Sequence, residues 1–272
     1  MTPYFAPQGG LPPETELLSS RAIFTEAFAV IPRRVMTDIV VSLFPGWEGT
    51  RGWVLARPLS GFAETFCQII LEVQGGGGSD HPEPDAGAEA VFFVLEGKLT
   101  VTINGRQAEA LGPGGYAYLP PGLGYTVRNT DTAPARFHWI RKRYEPAPGL
   151  GPPDPIFAHE QDVPTAPMKG HRSWSTTRFV DPRDMRHDMM VNIVNFTPGG
   201  AISFSETHVM EHGLYILEGK GVYRLNDVWV EVQEGDFLWL RAFCPQACYA
   251  GGPGRFRYLL YKDVNRFPKL AL

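Results

Sequence analysis

Apolar residues along this chain come in short runs that alternate with polar positions and end at Gly- or Pro-rich segments. Representative runs cover residues 66–73, 90–97, 190–196 and 255–262. Short apolar runs bounded by turn residues are typical of β-strands, whereas an amphipathic helix requires a longer run with a 3.6-residue period. No stretch of the chain shows such a helical period. The pattern therefore predicts an all-β protein built from many short strands.

The same pattern indicates where the regular structure stops. Residues 1–20 are polar and rich in Pro and Gly, which predicts an arm, and strands are predicted beyond it, one of them at 38–44. Residues 144–155 are dense in Pro and Gly and predict a linker. Residues 156–187 are polar, and we expect them to be irregular.

The two halves of the chain repeat one another. Val-Leu-Glu-Gly-Lys at 94–98 corresponds to Ile-Leu-Glu-Gly-Lys at 216–220. Each half then has an Asn at a hairpin tip and a Gly opening an aromatic strand, namely Asn104 and Asn226, and Gly114 and Gly235. The matching segments lie about 120 residues apart, which is too long for one unit of a solenoid. We therefore predict two all-β domains, residues 1–146 and 147–272.

The amino-acid composition disfavours several classes of function. The 272 residues are 43% hydrophobic and 20% charged with a net charge of −4, which is typical of a globular protein and disfavours nucleic-acid binding. No apolar run is long enough to span a membrane. The three cysteines, Cys67, Cys244 and Cys248, do not indicate a disulfide framework, and the last two are interpreted as buried thiols. With no secretory signal at the start, we expect a cytoplasmic protein.

Candidate chemistry concentrates at Glu206-x-His208-x3-His212. Side chains at i and i+2 of a strand share a face, so Glu206 and His208 can converge on one point, and His212 can join them across a short turn. Gln246 is a candidate fourth donor downstream. One carboxylate, two imidazoles and one amide predict a site for a divalent metal.

These motifs resemble those of the cupin superfamily, a jelly-roll barrel, present here twice as a bicupin. In the second half, Glu206, His208 and His212 take the ligand positions of the first cupin motif, and Gln246 takes the His position of the second. The first half keeps the second motif as Gly114-x5-Pro120-x-Gly122-x2-Tyr125-x3-Asn129, with Tyr125 at the ligand position. We therefore expect two tandem cupin barrels, of which the first lacks a complete metal site.

Within the cupins, the ligand set resembles that of the (S)-ureidoglycine aminohydrolase family. The resemblance implies Mn2+ held by Glu206, His208, His212 and Gln246. It also implies hydrolysis of (S)-ureidoglycine to (S)-ureidoglycolate with release of ammonia, in purine and allantoin catabolism. Three further side chains would lie at the small-molecule ureide substrate: catalytic Lys262 and Tyr223, and a weaker candidate, Tyr258. A homo-oligomer is implied as well.

Other interpretations remain open from the residues alone. Lys262 could be a solvated lysine at a strand end, and Tyr223 and Tyr258 could simply pack inside a barrel. Glu211 is expected to orient a ligand or to face solvent. The other histidines, His81, His138, His159, His171 and His187, are assigned structural roles. Alternative functions are another metal-dependent bicupin enzyme, such as a dioxygenase or isomerase, and a non-catalytic bicupin that binds small molecules.

Overall fold

The computed structural model describes residues 21–33, 44–58, 63–168 and 170–264. These residues form strands joined by turns and loops and contain no α-helix, so none of them provides a helix suited to crossing a membrane. The predicted arm at 1–20 and nearly all of the predicted strand at 38–44 lie outside the described residues. The all-β prediction is confirmed.

The first compact unit contains the described parts of residues 31–144 and 154–164. Its sheet follows the order β11-β8-β5-β10-β4-β9-β6-β7, and β3 pairs with β4 off this path. The strands are β3 (Glu48–Ala56), β4 (Cys67–Ser79), β5 (Ala88–Glu96), β6 (Leu99–Ile103), β7 (Glu109–Leu111), β8 (Gly115–Leu119), β9 (Tyr125–Arg128), β10 (Ala135–Arg143) and β11 (Ile156–His159). Because β4 pairs with β10 along its length and with β9 at its end, the sheet curls into a nearly closed barrel.

The second unit contains residues 23–30, 145–153 and the described part of 165–264. One sheet has the order β1-β2-β19-β16-β21-β14-β13-β12, and the other has the order β15-β20-β17-β18. The strands are β1 (Ile23–Phe24), β2 (Phe28–Ile31), β12 (Thr165–Pro167), β13 (Trp174–Arg178), β14 (Met189–Phe196), β15 (Ala201–Glu206), β16 (His212–Glu218), β17 (Lys220–Leu225), β18 (Val228–Gln233), β19 (Phe237–Leu240), β20 (Gln246–Ala250) and β21 (Phe256–Asp263).

Each unit has a hydrophobic core inside its barrel. In the first, alternate residues of β4, such as Ile69, Leu71 and Val73, face inward. In the second, Leu214 and Ile216 of β16 pack against residues of the opposite sheet. Alternation of inward apolar and outward residues is what places a strand between core and surface. Both cores therefore follow directly from the period-two pattern of the chain.

The duplication is visible in equivalent turns. Gly97 connects β5 to β6 and Gly219 connects β16 to β17, with φ values of +73° and +81°. The backbone NH groups of Gly114 and Gly235 each donate a 2.9 Å hydrogen bond to the carbonyl of the residue three positions before the corresponding turn glycine. Residues at positive φ are most readily glycine. The residues that the two halves share therefore form the same turn and the same hydrogen bond in both barrels.

Two features differ from the simple expectation. Residues 156–187 are not irregular throughout, since they contain β11, β12 and β13. The units also do not divide at residue 146, because β1 and most of β2 belong to the second unit and β11 to the first. In each unit the added strand covers a sheet edge, β2 on β19 and β11 on β8. Unpaired edges are templates for unwanted association, so covering them has a clear physical benefit.

Candidate metal and substrate site

Four elements bring the predicted metal ligands together in the second barrel. Glu206 ends β15, His208 lies in the following loop, His212 opens β16 and Gln246 opens β20. Glu206 is the register partner of Gln246, and the pairing of β15 with β20 shifts between Ile202 and Glu206. A bulge of this kind re-aims the side chains beyond it. The irregularity therefore lies immediately before the first predicted ligand.

Three of the four side chains are in direct contact. The Nε2 atom of Gln246 lies 3.2 Å from Nε2 of His208 and 3.3 Å from Nδ1 of His212. The two imidazole rings have centroids 4.5 Å apart. Without Gln246, the His, Cys, Asp and Glu side chains of the described residues nowhere form a group of three that could hold a metal ion. The side-chain contacts thus join Gln246 to the two imidazoles, and Glu206 is connected to this group through its backbone pairing with Gln246.

Burial controls the ionisation of these groups. It lowers the pKa of His208, with a further contribution from the charge of Lys262, and it lowers the pKa of His212 well below the usual value. Burial raises the pKa of Glu206, and the nearby Lys262 opposes that shift. Neutral imidazoles are the form that binds metal ions. The electrostatics thus favour two unprotonated histidines.

Lys262 and two tyrosines lie in the same place. Lys262 on β21 is the register partner of His212. Tyr258 precedes Lys262 by four residues on the same strand and therefore lies on the same face. Burial lowers the pKa of Lys262, as does the nearby Arg178, while Glu206 raises it. The rings of Tyr223 and Tyr258 have centroids 5.9 Å apart, and both tyrosines are almost fully buried.

All seven predicted site residues line one pocket, with a volume of about 160 Å³. Its other walls are Met168, Trp174, Thr176, Arg178, Asn192, Val194, Ile202, Met210, Leu214 and Leu260. Pockets for drug-sized ligands measure about 300–1,000 Å³. This pocket therefore suits a small metabolite, which both polar and apolar side chains would contact.

The ligand loops are held by an unusual backbone conformation. Phe243 has φ +65°, and its NH donates a 2.8 Å hydrogen bond to the carbonyl of His208. The corresponding residue of the first barrel is Gly122, at φ +73°. Positive φ costs a residue with a side chain roughly 1–2 kcal/mol. The second barrel accepts this strain where the loop of His208 is tied to the segment that leads to Gln246.

Glu211 neither faces solvent nor lies among the residues that line the pocket. It is buried, its carboxylate accepts a 2.6 Å hydrogen bond from Nε1 of Trp239, and its NH donates to the Asp263 carboxylate. Both contacts tie the end of the ligand loop to the sheet. Of the two roles expected for Glu211, solvent exposure is wrong.

The corresponding region of the first barrel is built differently. Tyr125 is buried in the core, and Glu83 forms an ion pair with Arg141. Glu89 lies in β5 and accepts a 2.7 Å hydrogen bond from the hydroxyl of Tyr118. These partners are consistent with a structural role for the acidic side chains of the first barrel.

The sequence interpretation missed several pocket residues. Thr176 and Arg178 lie on β13, in a segment expected to be irregular, and Asn192 lies on β14. The alternation Trp174, Thr176, Arg178 was the available signal, since every second residue of a strand shares a face. Cys248, buried as interpreted, is also hydrogen-bonded to Tyr223, and burial raises the pKa of its thiol to about 12.

Comparison with known proteins agrees with the fold. The cupin domain model matches twice, at residues 69–141 and 192–261, once in each unit. A solved Pseudomonas aeruginosa structure, described as that of a glyoxylate-induced protein, has a TM-score of 0.88 and 62% sequence identity. The match covers 100% of both chains. The predicted fold of two tandem cupin barrels is confirmed.

Two curated relatives belong to one enzyme family within the cupins. The (S)-ureidoglycine aminohydrolase of Escherichia coli K12 is 31% identical over 253 residues, which cover 92% of this chain and 94% of the relative. The (S)-ureidoglycine aminohydrolase of Arabidopsis thaliana is 34% identical over 229 residues, covering 84% of this chain and 74% of the relative.

Proposed function

Because the chain belongs to the (S)-ureidoglycine aminohydrolase family of cupin enzymes, we propose that it hydrolyses (S)-ureidoglycine with the help of a manganese ion. The products are (S)-ureidoglycolate and ammonia. The observation that carries the proposal is the convergence of a carboxylate, two imidazoles, an amide and a lysine on one small pocket. The homo-oligomer implied by the resemblance, and the cytoplasmic location expected from the cysteines and the N-terminal residues, stay predictions.

The donor set fits a divalent metal. Glu206, His208, His212 and Gln246 would hold the ion, with both imidazoles favoured in the neutral form by burial. Carboxylate and amide oxygens suit manganese, and a set of four protein donors leaves positions for substrate if the ion is octahedral. A bound divalent ion supplies Lewis-acid polarisation of the substrate. A dioxygenase built on iron and three histidines fits this carboxylate- and amide-containing set less well.

The residues of the chain itself handle the substrate and the protons. Hydrolysis breaks the bond from the α-carbon to the amine and forms a bond from that carbon to the oxygen of water. The departing amine must take up a proton. Lys262 lies beside Glu206 in the pocket and carries protons that it can donate, or it pairs with the substrate carboxylate.

The two tyrosines position the substrate. Burial raises the pKa values of Tyr223 and Tyr258 well above the usual value, so both hydroxyls stay neutral. A neutral hydroxyl can donate and accept hydrogen bonds. Tyr223, Tyr258 and Cys248 also hydrogen-bond one another, which limits the orientations of these hydroxyls.

The test is ammonia release from freshly generated (S)-ureidoglycine, measured with metal-free and Mn2+-loaded protein. We expect release above the spontaneous rate only with the metal, and a loss of roughly a hundredfold or more in Glu206→Ala and in Lys262→Met. Glu231→Ala and Lys220→Met are matched controls, since both side chains are more than half exposed and pair with each other.

Direct metal titration separates the two parts of this proposal. If Mn2+ binds the wild type but not Glu206→Ala, and ammonia release equals the spontaneous rate, the metal site holds and the substrate assignment fails. If Mn2+ does not bind the wild type, the ligand assignment fails. Equal activity of Lys262→Met and Lys220→Met would show that Lys262 has no role in catalysis.

A further inference from the structure

A polar wall lines the pocket on the same sheet that carries His212 and Lys262. It consists of Thr176 and Arg178 on β13 and Asn192 on β14, all of which line the pocket. Arg178 is the register partner of Asn192, and Thr176 is the partner of the adjacent inward residue, Val194. The three polar side chains are therefore neighbours on one face of the sheet.

Two atoms of this wall have no protein partner. The Oγ1 of Thr176 and the Oδ1 of Asn192 are buried and accept or donate no hydrogen bond within the part of the chain that the structure describes. Both residues are more than nine-tenths buried, at 7% and 3% exposure. An unsatisfied buried polar atom costs about 1–3 kcal/mol. Both atoms can accept hydrogen bonds from a ligand that carries NH groups.

The opposite face of the same strands shows that this is not a general property of β13 and β14. Thr177 Oγ1 lies 3.0 Å from Thr165 Oγ1 and also accepts from the amide of Asn195 at 3.3 Å. The Oδ1 of Asn195 accepts from Arg257 at 3.0 Å. The Thr and Asn that face away from the pocket are satisfied by protein, whereas those that line it are not.

Arg178 adds positive charge at the exposed side of the wall. Among the described residues its guanidinium contacts the sulfur of Met168 at 3.6 Å and forms no ion pair. It lies close enough to Lys262 to lower the pKa of that amine. Two neighbouring cations attract an anion into a pocket of a chain whose net charge is −4.

We propose that Thr176 and Asn192 form the subsite for the ureido group of the substrate, and that Arg178 attracts its carboxylate into the pocket. This inference rests on the proposed function, because it assigns the end of the ureide that the metal and Lys262 do not hold. The terminal NH2 of the ureido group would donate to Thr176 Oγ1 and Asn192 Oδ1. The wall would then select ureides over similar acids that lack this NH2.

The spacing of the strands agrees with this assignment. β16, which carries His212, and β14, which carries Asn192, are separated by β21 alone. His212 pairs with Lys262 and Lys262 with Met190, so Asn192 is also offset by two residues along its strand. With strands about 4.8 Å apart and about 3.3 Å per residue, the two side chains rise from points about 12 Å apart. A small ureide bound at one end through its carboxylate and amine spans such a gap when a hydrogen bond is added at its other end.

The test compares two inert ligands, ureidoacetate and N-acetylglycine, which differ only in an NH2 or a CH3 at the far end. Binding to Mn2+-loaded protein is measured by calorimetry, without turnover. We expect the wild type to prefer ureidoacetate by roughly tenfold or more, since a site that hydrogen-bonds a group rejects an analogue lacking it. Asn192→Leu and Thr176→Val should each bring the ratio of the two affinities close to one. Thr176→Ser keeps the hydroxyl and should therefore show the preference of the wild type for ureidoacetate.

The controls are the matched residues of the outer face. Asn195→Leu and Thr177→Val should keep the preference, even where they lower stability through the loss of their hydrogen bonds. If the wild type hydrolyses ureidoglycine but shows no preference between the ligands, the subsite is wrong and the proposed function stands. If it prefers ureidoacetate but does not hydrolyse ureidoglycine, the subsite is supported and the proposed function is wrong. If the inner-face and outer-face variants behave alike, the subsite is also wrong.

Discussion

His138 illustrates how one buried side chain couples stability to pH. It lies fully buried in β10, with Nδ1 3.3 Å from the amide nitrogen of Gln68. Burial lowers its pKa from 6.5 to about 3, and the charge of Arg136 acts in the same direction. The folded protein therefore keeps His138 neutral under conditions in which the unfolded chain protonates it.

The sign of the resulting pH dependence follows from linkage. Below the unfolded pKa of 6.5 the unfolded chain binds a proton that the folded chain does not, until the pH reaches about 3. The contribution of His138 is thus complete above 6.5 and is lost by about 1.4 kcal/mol for each pH unit below it. Replacing the residue by His138→Gln should remove this slope. Urea unfolding from about pH 7.5 to about pH 4.5 measures it, and parallel curves for both proteins would contradict the assignment.

At the scale of elements, the turn between β16 and β17 depends on a close backbone approach. Gly219 has φ +81°, and a Cβ atom there would collide with the carbonyl oxygen of Arg255. Gly199 has a similar φ of +70°, but a Cβ there would meet no atom of the described residues within 4 Å. The two glycines differ in available space and not in conformation.

Gly219→Ala should therefore destabilise the protein more than Gly199→Ala does. Positive φ alone costs about 1–2 kcal/mol for alanine, which is the effect expected at Gly199. At Gly219 the collision with backbone adds to this cost, since the strands must separate to relieve it. Thermal unfolding of both variants measures the difference. Equal losses would mean that the approach of β21 to this turn is not tight.

At the scale of the whole molecule, the second unit includes a strand pair from far upstream in the chain. Phe28 on β2 is 2% exposed and belongs to the second core, whereas Phe24 on β1 is 61% exposed. The core of the second unit thus requires residues that precede the main segment of the first unit, residues 31–144, in the sequence.

Phe28→Ala should weaken the second unit by about 3–5 kcal/mol, the usual cost of removing a buried Phe side chain. Phe24→Ala should have little effect because its ring is mostly in solvent. Hydrogen exchange locates the change: faster exchange is expected in β19 and β16, with β5 and β10 unaffected. Equal acceleration in the first unit would contradict the assignment of β2 to the second.

The features that could be predicted from sequence are those with a local signal. The strands follow from the period-two pattern, and the duplication follows from two nearly identical five-residue segments at 94–98 and 216–220. Glu206, His208 and His212 are correctly predicted to lie close together, and all three line one pocket. His208 lies in the loop after β15, not on a strand with Glu206 as the i, i+2 spacing predicts. Gln246 is a candidate donor from its residue type alone, and the resemblance to the cupin motif assigns it a ligand position.

The features that could not be predicted depend on which distant segments pair. Thr176 and Asn192 look like ordinary polar residues of strands until β13 joins β14 and turns them into the pocket. The transfer of β2 to the second sheet has no local signal either, since its apolar residues would fit the core of either barrel. Period and spacing along the chain decide which face a side chain takes. Only the pairing of strands in three dimensions decides what that face meets.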